Sequence, residues 1–177
     1  MRMRCSWVRS GDALMISYHD QEYGRKKAND TALFEKLCLE CFQAGLSWRT
    51  VLQKRDALRE AFCDFEPAKA AQLDDAHMAA LINKRAIIRN RRKIEAVVHN
   101  ARLHVAQFPI EGSFKNYVYG FTDGGALCRD LKKRGYRFVG ETVCTSFLMS
   151  VGAIEGHEKG CSLYGADLNG KDKDFFR

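Results

Sequence analysis

A glutamate at position 40 stands inside an apolar run, Leu37-Cys-Leu-Glu40-Cys-Phe. It follows Leu33 by seven residues and Leu37 by three, and it precedes Ala44 by four, so on a helix it joins their inward row. Glu35 and Lys36 are expected on the opposite side. A carboxylate turned toward a core is costly unless it is paired or hydrogen-bonded. Two chemistries meet that demand. The carboxylate can cap an element or pair with an arginine, or it can line a pocket and accept hydrogen bonds from a ligand. Periodicity leaves both open. Trp48 lies at the start of the next predicted helix, and Trp7, Tyr18 and Tyr23 lie upstream. An aromatic wall beside a fixed acceptor suits a flat, electron-poor, hydrogen-bonding ligand. The same residue types also fill cores.

A second group could hold a metal. Cys5 and His19 lie early in the chain, and His157 and Cys161 form His-x-x-x-Cys late in it. Two thiolates and two imidazoles complete a tetrahedral set for structural zinc, with no open position for an activated water. Such an ion would clamp distant segments rather than perform chemistry. The pairs are far apart and lack a compact Cys-x-x-Cys, so spacing alone does not establish the site. Cys38, Cys41, Cys63, Cys128 and Cys144 sit among apolar residues and read as small core side chains. His77, His99 and His104 have no comparable partners and are expected at the surface or its boundary.

A third group is basic. Six residues, Lys84, Arg85, Arg89, Arg91, Arg92 and Lys93, surround a predicted joint between helices, with no acid among them. Ile87 and Ile88 would plug that joint into the core. The form is that of a helix-hairpin-helix, which offers backbone N–H groups and cations to DNA phosphates, positioning a protein without reading sequence. Lys132, Lys133, Arg134 and Arg137 could extend the surface. A solvated basic face is the plainer alternative. The whole chain, with 29 Lys and Arg against 22 Asp and Glu, carries a net charge of +7, which favours polyanionic partners.

Helices must position these groups. Asn29-Asp30-Thr31 is a cap for a helix carrying Leu33, Phe34, Leu37, Cys38 and Cys41, with Gly45 at its end. Ser47 caps a helix running through Val51, Leu52, Leu58 and Phe62. Pro67 fits the first turn of a short helix, and Asp74-Asp75 starts another through Met78, Leu81 and Ile82. Ile94, Val97, Val98, Ala101 and Val105 mark a long amphipathic helix. Further helices are predicted from Ser113, over Ala126 to Arg134, and over Thr142 to Val151, with an extended stretch from Tyr136 to Gly140. No convincing strand pair appears, so the class is all-α. At 177 residues, 46% of them hydrophobic and 2 of them proline, the chain fits a single helical domain over residues 1–166 with a polar tail at 167–177. No apolar run nears the roughly 18 residues of a membrane span. The segment Met1 to Trp7 has charge but no apolar stretch behind it, so no signal peptide is expected and the location is read as cytoplasmic.

The stretches Cys5-Ser-Trp7, Tyr18-His19-Asp20-Gln-Glu22-Tyr-Gly24, Leu37-Cys-Leu-Glu40-Cys-Phe-Gln-Ala-Gly-Leu-Ser-Trp48, Leu131 to Gly140 and His157 to Cys161 occur in one order. Together they resemble the 3-methyladenine DNA glycosylase I family, from about Arg4 to Tyr164. The resemblance implies a helix-hairpin-helix glycosylase, with the hairpin at about residues 75–106 and zinc-tied terminal segments. It implies zinc on Cys5, His19, His157 and Cys161. It assigns Glu40 and Tyr18 to hydrogen bonds with an alkylated adenine, Trp48 to stacking, and Trp7 and Tyr23 to the pocket wall. The activity implied is hydrolytic release of 3-methyladenine, with 3-methylguanine as a second candidate substrate, by base flipping, on double-stranded DNA bearing alkylated adenine. A monomer with no membrane partner is expected. No lysine matches a Schiff-base nucleophile of the family, so strand cleavage is not implied. Three departures stand out. The hairpin has Ala86 and Arg92 where glycines are usual, Tyr23 replaces a common tryptophan, and the segment around Thr122-Asp-Gly-Gly125 is short. The hairpin changes keep a second reading open, a non-catalytic, zinc-stabilised reader of alkylated DNA.

Overall fold

A computed structural model describes residues 3–111 and 113–168. Among them are ten α-helices and no strand: α1 (Ala13–Gln21), α2 (Asp30–Gln43), α3 (Trp48–Gln53), α4 (Arg55–Ala61), α5 (Pro67–Ala70), α6 (Asp75–Asn83), α7 (Arg91–Glu111), α8 (Phe114–Tyr119), α9 (Gly124–Lys133) and α10 (Glu141–Ser150), with one 3-10 turn over Cys63–Phe65. The caps fall where side-chain chemistry places them. Asn29, Ser47, Asp74, Ser113 and Asp123 each accept from a backbone N–H in the first turn of the helix that follows. Gly45 turns the chain after α2 with φ +81, a conformation most side chains resist.

The architecture is organised around α2. Every residue from Leu33 to Phe42 is buried, so this helix has no solvent face. Its Phe34, Cys38, Leu39 and Phe42 join Val51, Leu58, Phe62, Phe65, Ile94 and Val98 in one core. Its Leu33, Leu37 and Cys41 join Phe114, Val118, Leu127, Leu131, Phe147 and Leu148 in a second. The expectation that Glu35 and Lys36 face outward is therefore wrong. A helix wrapped on all sides must bury them, and Glu35 is neutralised by Arg55 and Arg59 of α4, each at 2.8 Å. Ala44, placed in the inward row, is instead an exposed C-cap.

Other departures have local causes. The helix expected from Ser47 through Phe62 breaks at Lys54, whose φ −102 and ψ 2 separate α3 from α4. The stretch from Tyr136 to Gly140 pairs with no strand, and Phe138 passes through φ +57. Helix α1, with Met15, Tyr18 and His19 buried, was not anticipated. His104 is no boundary residue. It is 5% exposed and enclosed by the rings of Phe34, Phe108 and Phe114 at 4.7 to 5.1 Å, and burial holds its pKa down to about 4. Cys63 is only half-buried, while the other cysteines are buried. The polar tail is described only to Leu168, and residues 169–177 lie outside the described residues. No helix among the described residues is long and apolar enough to cross a membrane.

Candidate functional site

The buried end of α2 opens onto a cavity of about 590 Å³. Glu40 of α2, Tyr18 and Met15 of α1, Trp48 at the first turn of α3, Trp7 and Tyr23 from the segments flanking α1, and Ser146 and Met149 of α10 all line it. They arrive by several separate elements, which explains why linear spacing could not join them. Tyr18 is the hub of the aromatic wall, with ring centroids 5.3 Å from Trp48, 5.9 Å from Tyr23 and 6.3 Å from Trp7. Tyr23 is anchored by its hydroxyl, which donates to the Gly156 carbonyl at 3.1 Å. The indole N–H of Trp48 is buried with no hydrogen-bond partner among the described residues. The five pocket residues read from the sequence, Trp7, Tyr18, Tyr23, Glu40 and Trp48, thus surround one space.

Glu40 is 4% exposed. Burial raises its pKa, and the ammonium of Lys36 opposes that rise. Lys36 stands one helical turn earlier, 1% exposed, with Nζ 3.3 Å from a Glu40 carboxylate oxygen. The same Nζ donates to the Tyr18 hydroxyl at 2.6 Å and lies 3.7 Å from the centre of the Trp48 ring. Burial presses its pKa down to about 8, against the pull of Glu40 and Glu22. Sequence reasoning missed this lysine. The signal was available, because a residue four before Glu40 must share its face. Behind the wall, Glu22 takes two hydrogen bonds from Arg55 at 2.6 and 3.1 Å. Burial raises the Glu22 pKa, but Arg55, Lys27 and Lys36 outweigh it and bring it to about 2.

The four candidate metal ligands also converge. Cys5, His19, His157 and Cys161 are all buried, and their donor atoms lie within 4.8 Å of one another. The sulfur-to-nitrogen distances run from 3.3 to 3.7 Å, with His19 facing the thiols through Nε2 and His157 through Nδ1. A small tetrahedral ion bound by thiolate and imidazole spans edges of about 3.6 Å, so the donor set fits one. The far nitrogen of His19 meets Asp20 at 2.8 Å, and Arg4 grips that carboxylate through Nε and Nη2. This is the outer support that orients a ligating imidazole. Gly24, at φ +74, passes so close that a Cβ there would lie 2.9 Å from His157 Nε2. The cluster and the cavity share a wall, since Tyr23 packs edge-on to His157 at 5.1 Å and to Trp7 at 5.2 Å.

The basic joint is only partly as expected. Helix α6, residues 84–90 and helix α7 form a hairpin held by buried Ile87 and Ile88. Arg85, Arg89, Arg91 and Arg92 are exposed. Lys84 pairs with Glu60 at 2.9 Å, and Arg91 with Glu95 at 3.7 Å. Lys93 does not belong to the exposed row. It is 5% exposed, and its Nζ donates to the carbonyls of Phe42 and Ala44, satisfying the C-terminus of α2. Ala86 is exposed, and Lys54 of the α3–α4 break donates to its carbonyl at 3.0 Å and to that of Arg85 at 3.3 Å.

The described residues are all helical apart from loops, and their aromatic, carboxylate-backed cavity has the size and lining of a small-molecule binding pocket. Comparison with known proteins places it further: the chain belongs to the methyladenine glycosylase family, whose sequence model matches residues 7–127 and 124–164. It is similar to the DNA-3-methyladenine glycosylase of Haemophilus influenzae, 37% identical over 91% of this chain and 97% of that protein. It is also similar to DNA-3-methyladenine glycosylase 1 of Escherichia coli, 38% identical over 91% of this chain and 96% of that one. A crystal structure of 3-methyladenine DNA glycosylase I superposes with a TM-score of 0.86 at 38% identity, covering 92% of this chain and all (100%) of that one.

Proposed function

We propose that this protein is a monofunctional DNA glycosylase of base-excision repair, releasing 3-methyladenine from alkylated duplex DNA by hydrolysis. The observation that carries the reading is one cavity lined by both the buried Glu40 carboxylate and the Trp48 ring. Methylation at N3 leaves the nucleobase cationic and its bond to deoxyribose weakened. Water adds to the sugar carbon, the glycosidic electrons pass to the base, and a neutral base and a proton leave. The protein must therefore extrude the lesion, hold it and admit water. Trp48 attracts a cationic base through its ring face more than it attracts neutral adenine. Glu40 accepts from the exocyclic amino group in a charge-assisted hydrogen bond, with Tyr18 beside it. Tyr23 and Trp7 close the slot.

Zinc is the ion that two thiolates and two imidazoles suit best, and a closed set of four ligands gives it a structural role. Cys5, His19, His157 and Cys161 would hold it beside the Tyr23 wall. The α6–α7 hairpin acts as the helix-hairpin-helix, and Arg85, Arg89, Arg91 and Arg92 offer positive charge to backbone phosphates. The protein works as a monomer on this reading. The test is direct. Methylated duplex DNA is incubated with the protein at one fixed salt concentration, and free bases are separated and measured. Release of 3-methyladenine is expected. Binding of the methylated duplex with no base released would overturn the catalytic reading in favour of a non-catalytic reader.

A further inference from the structure

Three groups of the cavity converge on one buried nitrogen. Lys36 Nζ contacts the Tyr18 hydroxyl, a Glu40 carboxylate oxygen and the face of Trp48, yet Lys36 is not among the residues lining the cavity. An ammonium is a donor without acceptor capacity. Because Nζ donates to the Tyr18 oxygen, the phenolic hydrogen must point elsewhere, and Tyr18 presents a donor. Because Nζ also balances Glu40, the carboxylate is favoured in its ionised form, which only accepts. The pair Tyr18 and Glu40 therefore shows the cavity one donor and one acceptor, in fixed order.

That order matches one purine edge and opposes the other. Adenine offers an amino donor beside the ring-nitrogen acceptor N7, whereas guanine offers two acceptors, O6 and N7. We infer that Lys36 is a positioning and specificity-determining residue that sets the hydrogen-bond polarity of the Tyr18–Glu40 pair, so that the slot accepts 3-methylated adenine and rejects 3-methylated guanine. The inference rests on the glycosylase reading for its ligand, but it concerns binding in the slot and can fail separately. Lys36 acts through its neighbours and is not a nucleophile here. The groups facing Nζ are Glu40 from its own helix, Tyr18 from α1, Glu22 after α1, Lys27 in the following loop, and Arg55 from α4.

The experiment measures binding of the free bases 3-methyladenine and 3-methylguanine by tryptophan fluorescence, alongside base release from methylated duplex. The wild type is expected to prefer the adenine. In Lys36→Met the affinity for 3-methyladenine should fall about 10- to 100-fold, the scale of a hydrogen bond to a charged group. The preference over 3-methylguanine should shrink about tenfold, the scale of one reversed donor–acceptor contact. Lys36→Gln keeps an N–H for the Tyr18 oxygen and should recover most of the preference, which a merely structural role would not do. If the methionine variant does not fold, the wild type still decides. Its preference should fall as pH rises through about 8, where the ammonium discharges, and Lys36→Gln should show no such step. A folded Lys36→Met that keeps the full preference overturns the inference, as does a wild type with no preference between the two bases. Borohydride trapping of a DNA adduct that depends on Lys36 would also overturn it. Intact base preference without release from DNA would strike the glycosylase reading and leave this one standing.

Discussion

The slot and the α6–α7 hairpin both carry charge, yet the two regions use it in opposite ways. At the slot, Lys36 behind the wall and Glu40 in it are buried at 1% and 4% exposure, and each charge has a fixed partner within hydrogen-bonding or ion-pair range. On the hairpin, Arg85, Arg89 and Arg92 stand in solvent. Buried charge is poorly screened and sensitive to geometry, so it can discriminate between ligands that differ by one proton. Exposed charge is weakened by salt over about 8 Å at physiological ionic strength, so it can attract and position but not read. On the proposed function, the contrast would give choice of base to α2 and its neighbours, and grip on the duplex to the hairpin.

The sharpest way to break this contrast is through the shared wall. If the cluster holds the proposed zinc, Cys161→Ala should lose it and destabilise the fold by several kcal/mol, since metal affinity at such sites is folding free energy. Free-base binding should fall with it, because Tyr23 leans on His157. Metal content equal to wild type in that variant would remove Cys161 from the ligand set. Next in size, Glu40→Gln should cut base release about 100-fold at low and high salt alike. A loss that disappeared on lowering the salt would place Glu40 in DNA grip instead.

Smaller and opposite in character is the triple change Arg85→Ala, Arg89→Ala and Arg92→Ala. The salt dependence of duplex binding should flatten by about 0.9 in log–log slope for each lost phosphate contact. Affinity for free 3-methyladenine should not move, and if it did, the two regions would be coupled. The smallest effect separates acid sensitivity from both regions. His104 is held neutral in the fold, with a pKa of about 4 against 6.5 unfolded. Its stability contribution is therefore complete above 6.5 and lost as pH falls from there toward 4. Between pH 7 and 5.5 the wild type should lose about 1 kcal/mol more than His104→Phe, read by chemical denaturation at each pH.

Much of this was legible in the chain. Glu40 announced itself by sitting in an apolar row, and the caps at Asn29, Ser47, Asp74 and Ser113 could be placed by the side-chain oxygens that helix starts require. The helical class followed from periodicity. What escaped had physical reasons. Helix α1 was invisible because its buried side is Met15, Tyr18 and His19 while Leu14 is exposed, so no apolar stripe marks it. Lys36 and Lys93 were placed with solvent because lysine usually belongs there. Each instead neutralises something buried, a carboxylate in one case and helix-end carbonyls in the other. His104 lies three residues after Ala101 and four before Phe108, which already puts it on the buried side of α7. Convergence of Cys5 with Cys161, and of Trp7 with Met149, is long-range by nature. Only the folded chain or a family resemblance could supply it.

That convergence bears on how the protein comes into being. Ser162 donates its backbone N–H to the carbonyl of Met3, and Cys5 faces His157, so Cys5 waits on a residue translated 152 positions after it. Trp7, early in the chain, and Met149, late in it, line the same space. A ribosome that stalls before residue 149 leaves a fragment that carries the exposed hairpin arginines but lacks a wall of that space. On the proposed function, such a fragment would still offer positive charge to DNA but could not enclose a base, so prompt clearance of unfinished chains would matter for this fold.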